Sequence, residues 1–334
     1  MNRIKKLVIQ ELATRSLDFW ELLARNKYLL KDFINAVNEL YTDGLIKVDN
    51  GVVSLTENGR KVAVSLPMPE TCEYCSGKEI TIPKEFEKIL NKFKEVVKKR
   101  PSVSGEFYQE WMYPEEVVAR LAYFHFHGDL VDRDFFIVGD DDLLSIALAI
   151  SGYPRKIFVI DIDPKLIEYI EKIAKQNGWK NVEAMVYDVG EPLPKELIGK
   201  FDVFSSEPLE TWSGLKAFFL RGMLSLKVGG AGYVGLTNAE ASLEKWRKIE
   251  EFISSNGFTI TDIVRNFSLY PYTLSEYTDF TKFLKFNVSK ENHSKWYRSS
   301  LFRIERVVDK ILKNPKIKID LTDEDAEFTS PEIN

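Results

Sequence analysis

Residues 135–163 contain Phe135-Phe136-Ile137-Val138-Gly139-Asp140-Asp141-Asp142-Leu143-Leu144-Ser145-Ile146-Ala147-Leu148-Ala149-Ile150 and then, past a short turn, Lys156-Ile157-Phe158-Val159-Ile160-Asp161-Ile162-Asp163. An apolar run of strand length, a tight turn, an apolar stretch of helical length and a second apolar run closed by acid form the pattern of a buried βαβ unit. Such a unit is the nucleotide-binding half of a doubly wound sheet. Its turn is unusual. Anion-binding turns carry several glycines so that backbone can approach the ligand, whereas here a single glycine is followed by three aspartates. One carboxylate at a helix start caps orphan amides and favours the macrodipole. Three in a row repel one another unless a cation compensates them. The turn therefore suits a nucleoside cofactor with a cationic tail and a substrate that is itself cationic.

Further acids are expected at the same edge. Asp161 closes the second strand, where an acid takes ribose hydroxyls, and Asp163 precedes Pro164 as the cap of a helix over 165–177 that ends at Gly178. A third strand over 182–188 ends in Asp188, placed to accept from an adenine amino group. The segment Phe201–Thr211 reads as a fourth strand carrying Glu207 and Glu210 at its carboxyl end. Ligands of open parallel sheets sit outside the carboxyl ends of the strands, so Asp140, Asp141, Asp142, Asp161, Asp188, Glu207 and Glu210 should converge on one crevice from four segments. Beyond them the pattern gives a helix over 212–226, a strand over 231–237, a helix over 242–256 and a strand over 258–266. The remainder is aromatic (Tyr270, Tyr272, Tyr277, Trp296, Tyr297) and suits a cover for the pocket or packing on the sheet. Residues 320–334 are acidic and rich in turn formers, as a solvated, mobile tail would be.

Upstream, residues 4–40 show apolar spacings of helical period, such as Leu30, Phe33, Ile34, Val37 and Leu40. Two alternating runs around Asp49-Asn50-Gly51 then give a strong hairpin signal. Helices followed by a hairpin make a winged helix. Asp32 and Glu39 on the expected recognition helix favour a structural or dimerisation role over DNA reading. Pro67-Met68-Pro69 marks a boundary, followed by Cys72-Glu73-Tyr74-Cys75, an amphipathic helix over 84–99, and Phe107 to Tyr113, where Tyr108 and Gln109 lie ahead of the sheet. The two cysteines and three histidines do not complete a tetrahedral zinc site within one chain, and no metal is expected. The division is 1–66 winged helix, 67–127 connector, 128–319 Rossmann-like domain with its extension, and 320–334 tail. The fold class is α/β, a Rossmann-like, methyltransferase-type doubly wound sheet behind an N-terminal winged-helix domain.

Composition narrows the function. With 46 basic against 51 acidic residues and a net charge of −5, nucleic acid is not the expected partner, and the balance favours cationic ligands. No apolar stretch is long enough to span a bilayer, and the first residues lack a signal-peptide core, so a cytoplasmic protein is expected. The richness in Lys, Glu and Ile suits a thermophile.

Gly139-Asp140-Asp141-Asp142-Leu143-Leu144-Ser145, together with Glu207-Pro208-Leu209-Glu210-Thr211, resembles the branched-chain polyamine synthases of archaea and bacteria over nearly the whole chain. The resemblance implies transfer of aminopropyl groups from decarboxylated S-adenosylmethionine to the central nitrogen of spermidine or a related polyamine, with methylthioadenosine released. A homodimer is expected. For that chemistry the candidates are Asp142, with Asp141 second, for removing the acceptor's proton, and Gly139, Asp140, Asp161, Asp188 and Gln109 around the cofactor. Tyr108, Glu207 and Glu210 would hold the acceptor. Three positions depart from the family pattern: Glu207 and Leu209 stand in a motif that otherwise reads Asp-Pro-Pro-Glu-Thr, and His127 stands where a basic residue such as Arg is expected. The cofactor chemistry agrees with the residues, because a donor that has lost its carboxylate and kept its ammonium group suits an aspartate turn. An S-adenosylmethionine-dependent methyltransferase, a linear aminopropyltransferase and a non-catalytic winged-helix polyamine sensor are the alternatives; the missing Gly-x-Gly counts against the first.

Overall fold

The computed structural model describes residues 1–63, 72, 74–101, 107, 109–271, 279–289, 295–322 and 325. The N-terminal unit comprises α1 (Arg3–Glu11), β1 (Leu17–Asp18), α2 (Phe19–Ala24), α3 (Leu30–Thr42), β2 (Ile46–Asp49), β3 (Val52–Leu55) and α4 (Glu57–Val62), its three strands ordered β1-β3-β2. Asn50 and Gly51 join β2 to β3 with φ of 49° and 81°, the left-handed pair that a two-residue hairpin of matching twist requires. Two helices follow, α5 (Phe86–Val97) and α6 (Pro114–Phe126).

The central layer then alternates strand and helix: β4 (Asp134–Val138), α7 (Leu144–Ser151), β5 (Lys156–Asp161), α8 (Pro164–Asn177), β6 (Val182–Val186), β7 (Phe201–Ser206), α9 (Trp212–Ser225), β8 (Leu226–Thr237), α10 (Leu243–Ser255), β9 (Phe258–Leu269) and β10 (Arg298–Arg306). Strand order is β6-β5-β4-β7-β8-β10-β9, with β4 to β8 parallel and β10 antiparallel to both its neighbours. From β4 the chain winds first towards β5 and later returns to β7 on the other side. That reversal opens a crevice at the carboxyl end of β4.

Side chains alternate across this sheet with period two. Phe135, Ile137, Val159 and Val203 join a core shared with α5 to α8 and the N-terminal unit. Phe136, Val138, Ile160 and Phe204 join a second core under α9 and α10. Both faces are covered, which is why β4 is apolar from Phe135 to Val138.

Local chemistry shifts some expected boundaries. The turn after β4 is longer than its sequence suggests, because Leu143 is fully buried in the left-handed region at φ 57° and α7 starts only at Leu144. A non-glycine residue held there carries backbone strain. β7 stops at Ser206, before Pro208, which has no N–H to donate. Asp163 caps α8 as expected, accepting from Lys165 N at 2.8 Å, and Gly178 closes that helix at φ 69°.

The tail expected to be solvated from residue 320 is instead tied down where it is described. Thr211 Oγ1 donates to the Asp320 carbonyl at 2.7 Å and Asp320 N donates to Ser213 Oγ at 2.8 Å. Asp325 accepts from Ser242 N at 2.9 Å and pairs with Lys245 Nζ at 3.3 Å. Its carboxylate is held because it meets the start of α10, where amides are unpaired and negative charge is favoured. Among the described residues no helix is long and apolar enough to cross a membrane.

Candidate active site

A cavity of about 700 Å³ lies at the carboxyl ends of β4, β5, β7 and β8, within the usual range for small-ligand sites. Its lining carries eight carboxylates, from Glu110, Asp141, Asp161, Asp188, Glu191, Glu207, Glu210 and Glu240, against two lysines, Lys316 and Lys318. That imbalance decides the charge of the ligand it suits. Gly139 and Gln109 also line it. Tyr108 lies outside the described residues.

The three aspartates of the turn take three different positions. Asp140 points under the turn: Ser145 N donates to its Oδ1 at 3.2 Å and Ser145 Oγ donates to Oδ2, and the side chain is 1 % exposed. Expected at the cofactor, it is not among the residues that line the cavity and braces the start of α7. Asp141 does line the cavity while accepting from Glu110 N at 2.8 Å. Asp142 sits just behind the lining, accepting from Met112 N at 2.6 Å. Burial raises all three above the ordinary carboxylate range, and Asp142 is pushed up to about 7, with the Glu207 charge adding and the Arg120 charge opposing.

Asp161 shapes the floor of the crevice. Its Oδ2 accepts from Asp140 N at 2.9 Å and its Oδ1 from Asp163 N at 2.8 Å, fixing the start of both loops. Gln109 donates to Asp163 Oδ2 at 3.0 Å, which ties the pre-sheet segment to the end of β5. Asp188 lines the cavity just past the end of the neighbouring β6 and accepts from Gly190 N at 2.7 Å. The expected cofactor positions 109, 139, 161 and 188 are thus brought together.

On the acceptor side, Glu207 and Glu210 line the cavity with partners that sequence reasoning missed, Arg120, Thr237 and Glu240 among them. Glu207 is gripped twice, Oε1 by Arg120 Nη2 at 2.5 Å and Oε2 by the Tyr270 hydroxyl. Arg120 is 2 % exposed, a guanidinium inside the apolar run Val117-Val118-Ala119-Arg120-Leu121-Ala122. That lone charge was the available signal, since a buried cation demands a partner. Glu210 accepts from Thr237 N at 2.5 Å and Thr237 Oγ1 at 3.0 Å, and burial pushes its carboxyl well up, with the Glu240 charge adding. The Tyr297 hydroxyl donates to Glu240 Oε1 at 2.5 Å.

Two further groups complete the surroundings. Arg100 stacks on Trp111 at 3.7 Å, and its charge acts on Asp141 and Asp142. The extended segment from Lys316 to Leu321 closes one side, with Ile317 N donating to Gly190 O at 2.8 Å and Arg221 holding the Pro315 carbonyl at 2.7 Å. The alternation Lys316-Ile317-Lys318-Ile319 was legible, but nothing local said which surface it would cover.

Glu207 also depends on a glycine opposite it. A Cβ built at Gly235 of β8 would lie 1.9 Å from a Glu207 carboxylate oxygen. Because Arg120 and Tyr270 hold that carboxylate, it has little freedom to yield. Gly235→Ala is expected to destabilise the fold by about 1–3 kcal/mol through overpacking, read as a lower midpoint in denaturant unfolding; an unchanged midpoint would show that Glu207 moves aside freely.

The strand order and the acidic crevice define a methyltransferase-like Rossmann protein whose cavity suits a nucleoside bearing positive charge. The family model described as branched-chain polyamine synthase A C-terminal domain matches residues 88–329. The chain is 38 % identical over 295 residues to the N(4)-bis(aminopropyl)spermidine synthase of Thermococcus kodakarensis, covering 86 % of this chain and 83 % of that one. With the enzyme of the same name from Thermus thermophilus it shares 34 % identity over 318 residues, 95 % of this chain and 90 % of the relative. A crystal structure of the Thermus thermophilus branched-chain polyamine synthase, in complex with N4-aminopropylspermidine and 5'-methylthioadenosine, superposes with a TM-score of 0.84 at 31 % identity, covering 98 % of this chain and 93 % of that one. The chain belongs to the branched-chain polyamine synthase family.

Proposed function

We propose that the protein transfers aminopropyl groups from decarboxylated S-adenosylmethionine to the central nitrogen of spermidine, giving N4-aminopropylspermidine and then N4-bis(aminopropyl)spermidine. The observation that carries this reading is the one cavity lined by eight carboxylates in a chain of this family. Asp161 takes the ribose hydroxyls, Asp188 accepts from the adenine amino group, and Gln109 and the Gly139 turn complete the nucleoside side. Asp141 meets the ammonium group of the donor. Glu207 and Glu210 receive the primary ammonium ends of the acceptor through the lone pairs their protein partners leave.

Asp142 takes the proton of the central nitrogen, directly or through a water, and its elevated pKa of about 7 suits a base working near neutral pH. The freed lone pair forms a bond to the carbon beside the sulfonium. The carbon–sulfur bond breaks with its electrons going to sulfur, and neutral methylthioadenosine leaves. Holding both reactants in line contributes a large share of the rate. In the second cycle the tertiary nitrogen loses its proton in the same way and ends as a quaternary centre.

Helices α1 to α3 and the β2–β3 hairpin that follows them support reading the N-terminal unit as a winged helix in front of the catalytic layer. The segment from 67 to 127 serves as a connector, and 128–319 as the catalytic domain.

Donor discrimination tests this reading. S-adenosylmethionine would bring a carboxylate against Asp141, and like charges brought together cost several kcal/mol. It should bind at least roughly 100-fold more weakly than the decarboxylated form, about 3 kcal/mol, by calorimetric titration. Equal affinities, or methyl transfer to any polyamine, would move the reading to a methyltransferase.

A further inference from the structure

The N-terminal unit has no part in the chemistry above, yet it is fastened to the segment that leads into the acceptor side of the cavity. The Asn38 amide on α3 brackets Leu284: its Nδ2 donates to Phe283 O at 2.8 Å and its Oδ1 accepts from Lys285 N at 2.8 Å. Trp20 Nε1 on α2 donates to Ser289 O at 2.6 Å. Tyr41 packs on Phe286 with ring centroids 5.2 Å apart, and Lys285 Nζ donates to Thr42 Oγ1 at 3.1 Å. Asn38 is buried under this segment, while Tyr41 and Thr42 touch it from the exposed end of α3.

From this clamp a continuous file of rings runs to the cavity. Trp20 meets Phe280 at 5.7 Å, Phe280 meets Trp296 at 5.2 Å, Trp296 meets Tyr297 at 5.4 Å and Tyr297 meets Tyr270 at 5.7 Å. Every contact is edge to face, with interplanar angles between 71° and 77°, the geometry aromatic quadrupoles prefer. The last two rings both line the cavity, and their hydroxyls donate to Glu240 and Glu207. A second tie lies alongside: Leu30 N, at the first turn of α3, donates to Ala239 O at 3.4 Å, next to Glu240.

We propose that the N-terminal unit is a positioning module for the acceptor side of the site: Asn38 and Trp20 hold residues 279–289, and the ring file carries that constraint to Tyr297 and Tyr270, which fix Glu240 and Glu207. Close-packed rings transmit a displacement because they leave no slack to absorb it. The nucleoside side, built on the turn after β4 and on β5, has no member in this file and is not held by it. The inference rests on reading the cavity as a combined donor and acceptor site. It gives the α3 residues that grip this segment a use within the enzyme.

The test uses the full chain and three variants, Asn38→Ala, Trp20→Phe and Phe280→Leu. Asn38→Ala removes only the bracket, Trp20→Phe keeps a ring and loses its donor, and Phe280→Leu interrupts the file. Spermidine and methylthioadenosine are titrated calorimetrically, and amide exchange is followed over residues 296–299 and 135–145. Asn38→Ala and Phe280→Leu should weaken spermidine at least fivefold with methylthioadenosine held within twofold. Exchange should rise over 296–299 and stay constant over 135–145, with Trp20→Phe in between. Unchanged spermidine affinity and unchanged exchange over 296–299 would overturn the proposal, as would equal weakening of both ligands, the mark of general destabilisation. The exchange readout needs no turnover, and a wild-type product assay run in parallel reports separately on the proposed reaction.

Discussion

Asp142→Asn should abolish aminopropyl transfer, lowering kcat by roughly 10²- to 10⁴-fold, the usual range for loss of a general base. The amide keeps the hydrogen bond from Met112 N, which asks only for an oxygen. Methylthioadenosine should therefore bind as before. In the wild type the same group sets the acid side of the rate profile: with its pKa raised to about 7 by burial and by the Glu207 charge, turnover should fall as pH drops through that value. Stability should run the other way. A carboxyl whose folded pKa lies above its unfolded value of about 4 contributes stability that is fully present below pH 4 and lost as pH rises through about 7. Above pH 7 the variant should accordingly be more stable than the wild type, and near pH 4 the two should differ little. Asp141→Asn is the control for assignment, since Asp141 lines the cavity and Asp142 lies behind it. If Asp141→Asn removes turnover while Asp142→Asn leaves kcat intact, the base is Asp141.

Arg120→Met should have the second large effect. It leaves Glu207 partly buried beside Tyr270 and near Asp142 without the guanidinium that pairs with it at 2.5 Å. Breaking a buried pair from one side costs about 3–5 kcal/mol, because the remaining charge is uncompensated. Removing this cation also removes a force that lowers the Asp142 pKa, so the acid limb of the rate profile should move to higher pH. Denaturant unfolding and a pH–rate profile measure the two effects. A stability within about 1 kcal/mol of wild type and an unmoved acid limb would mean that Arg120 neither compensates Glu207 nor tunes Asp142.

The backbone of this account was legible because its signals are local. Phe135 to Val138 with Gly139, the acid at Asp161 and the Asp163-Pro164 cap each declare their geometry within a few residues, and the Asn50-Gly51 turn does the same for the wing. The acidic edge was legible too, since parallel strands end on one side. What remained hidden depends on long-range partners. Asp140 carries the same side chain as Asp141, and only the left-handed Leu143 and the position of Ser145 decide that one braces a helix while the other meets the cavity. Glu207 faces the cavity, but the two groups that hold it, Arg120 and Tyr270, come from 87 and 63 residues away along the chain. The cover from Lys316 to Leu321 and the ties at Asp320 and Asp325 depend on where the tail crosses α9 and α10. No spacing in the tail announces that crossing.

Product regiochemistry tests the central claim most directly. The purified protein is incubated with decarboxylated S-adenosylmethionine and spermidine, and the products are fragmented by mass spectrometry. One and then two aminopropyl groups on the central nitrogen, with methylthioadenosine released in equal amount, is the result the site predicts. Addition at a terminal nitrogen, or no aminopropyl product at all, would contradict it.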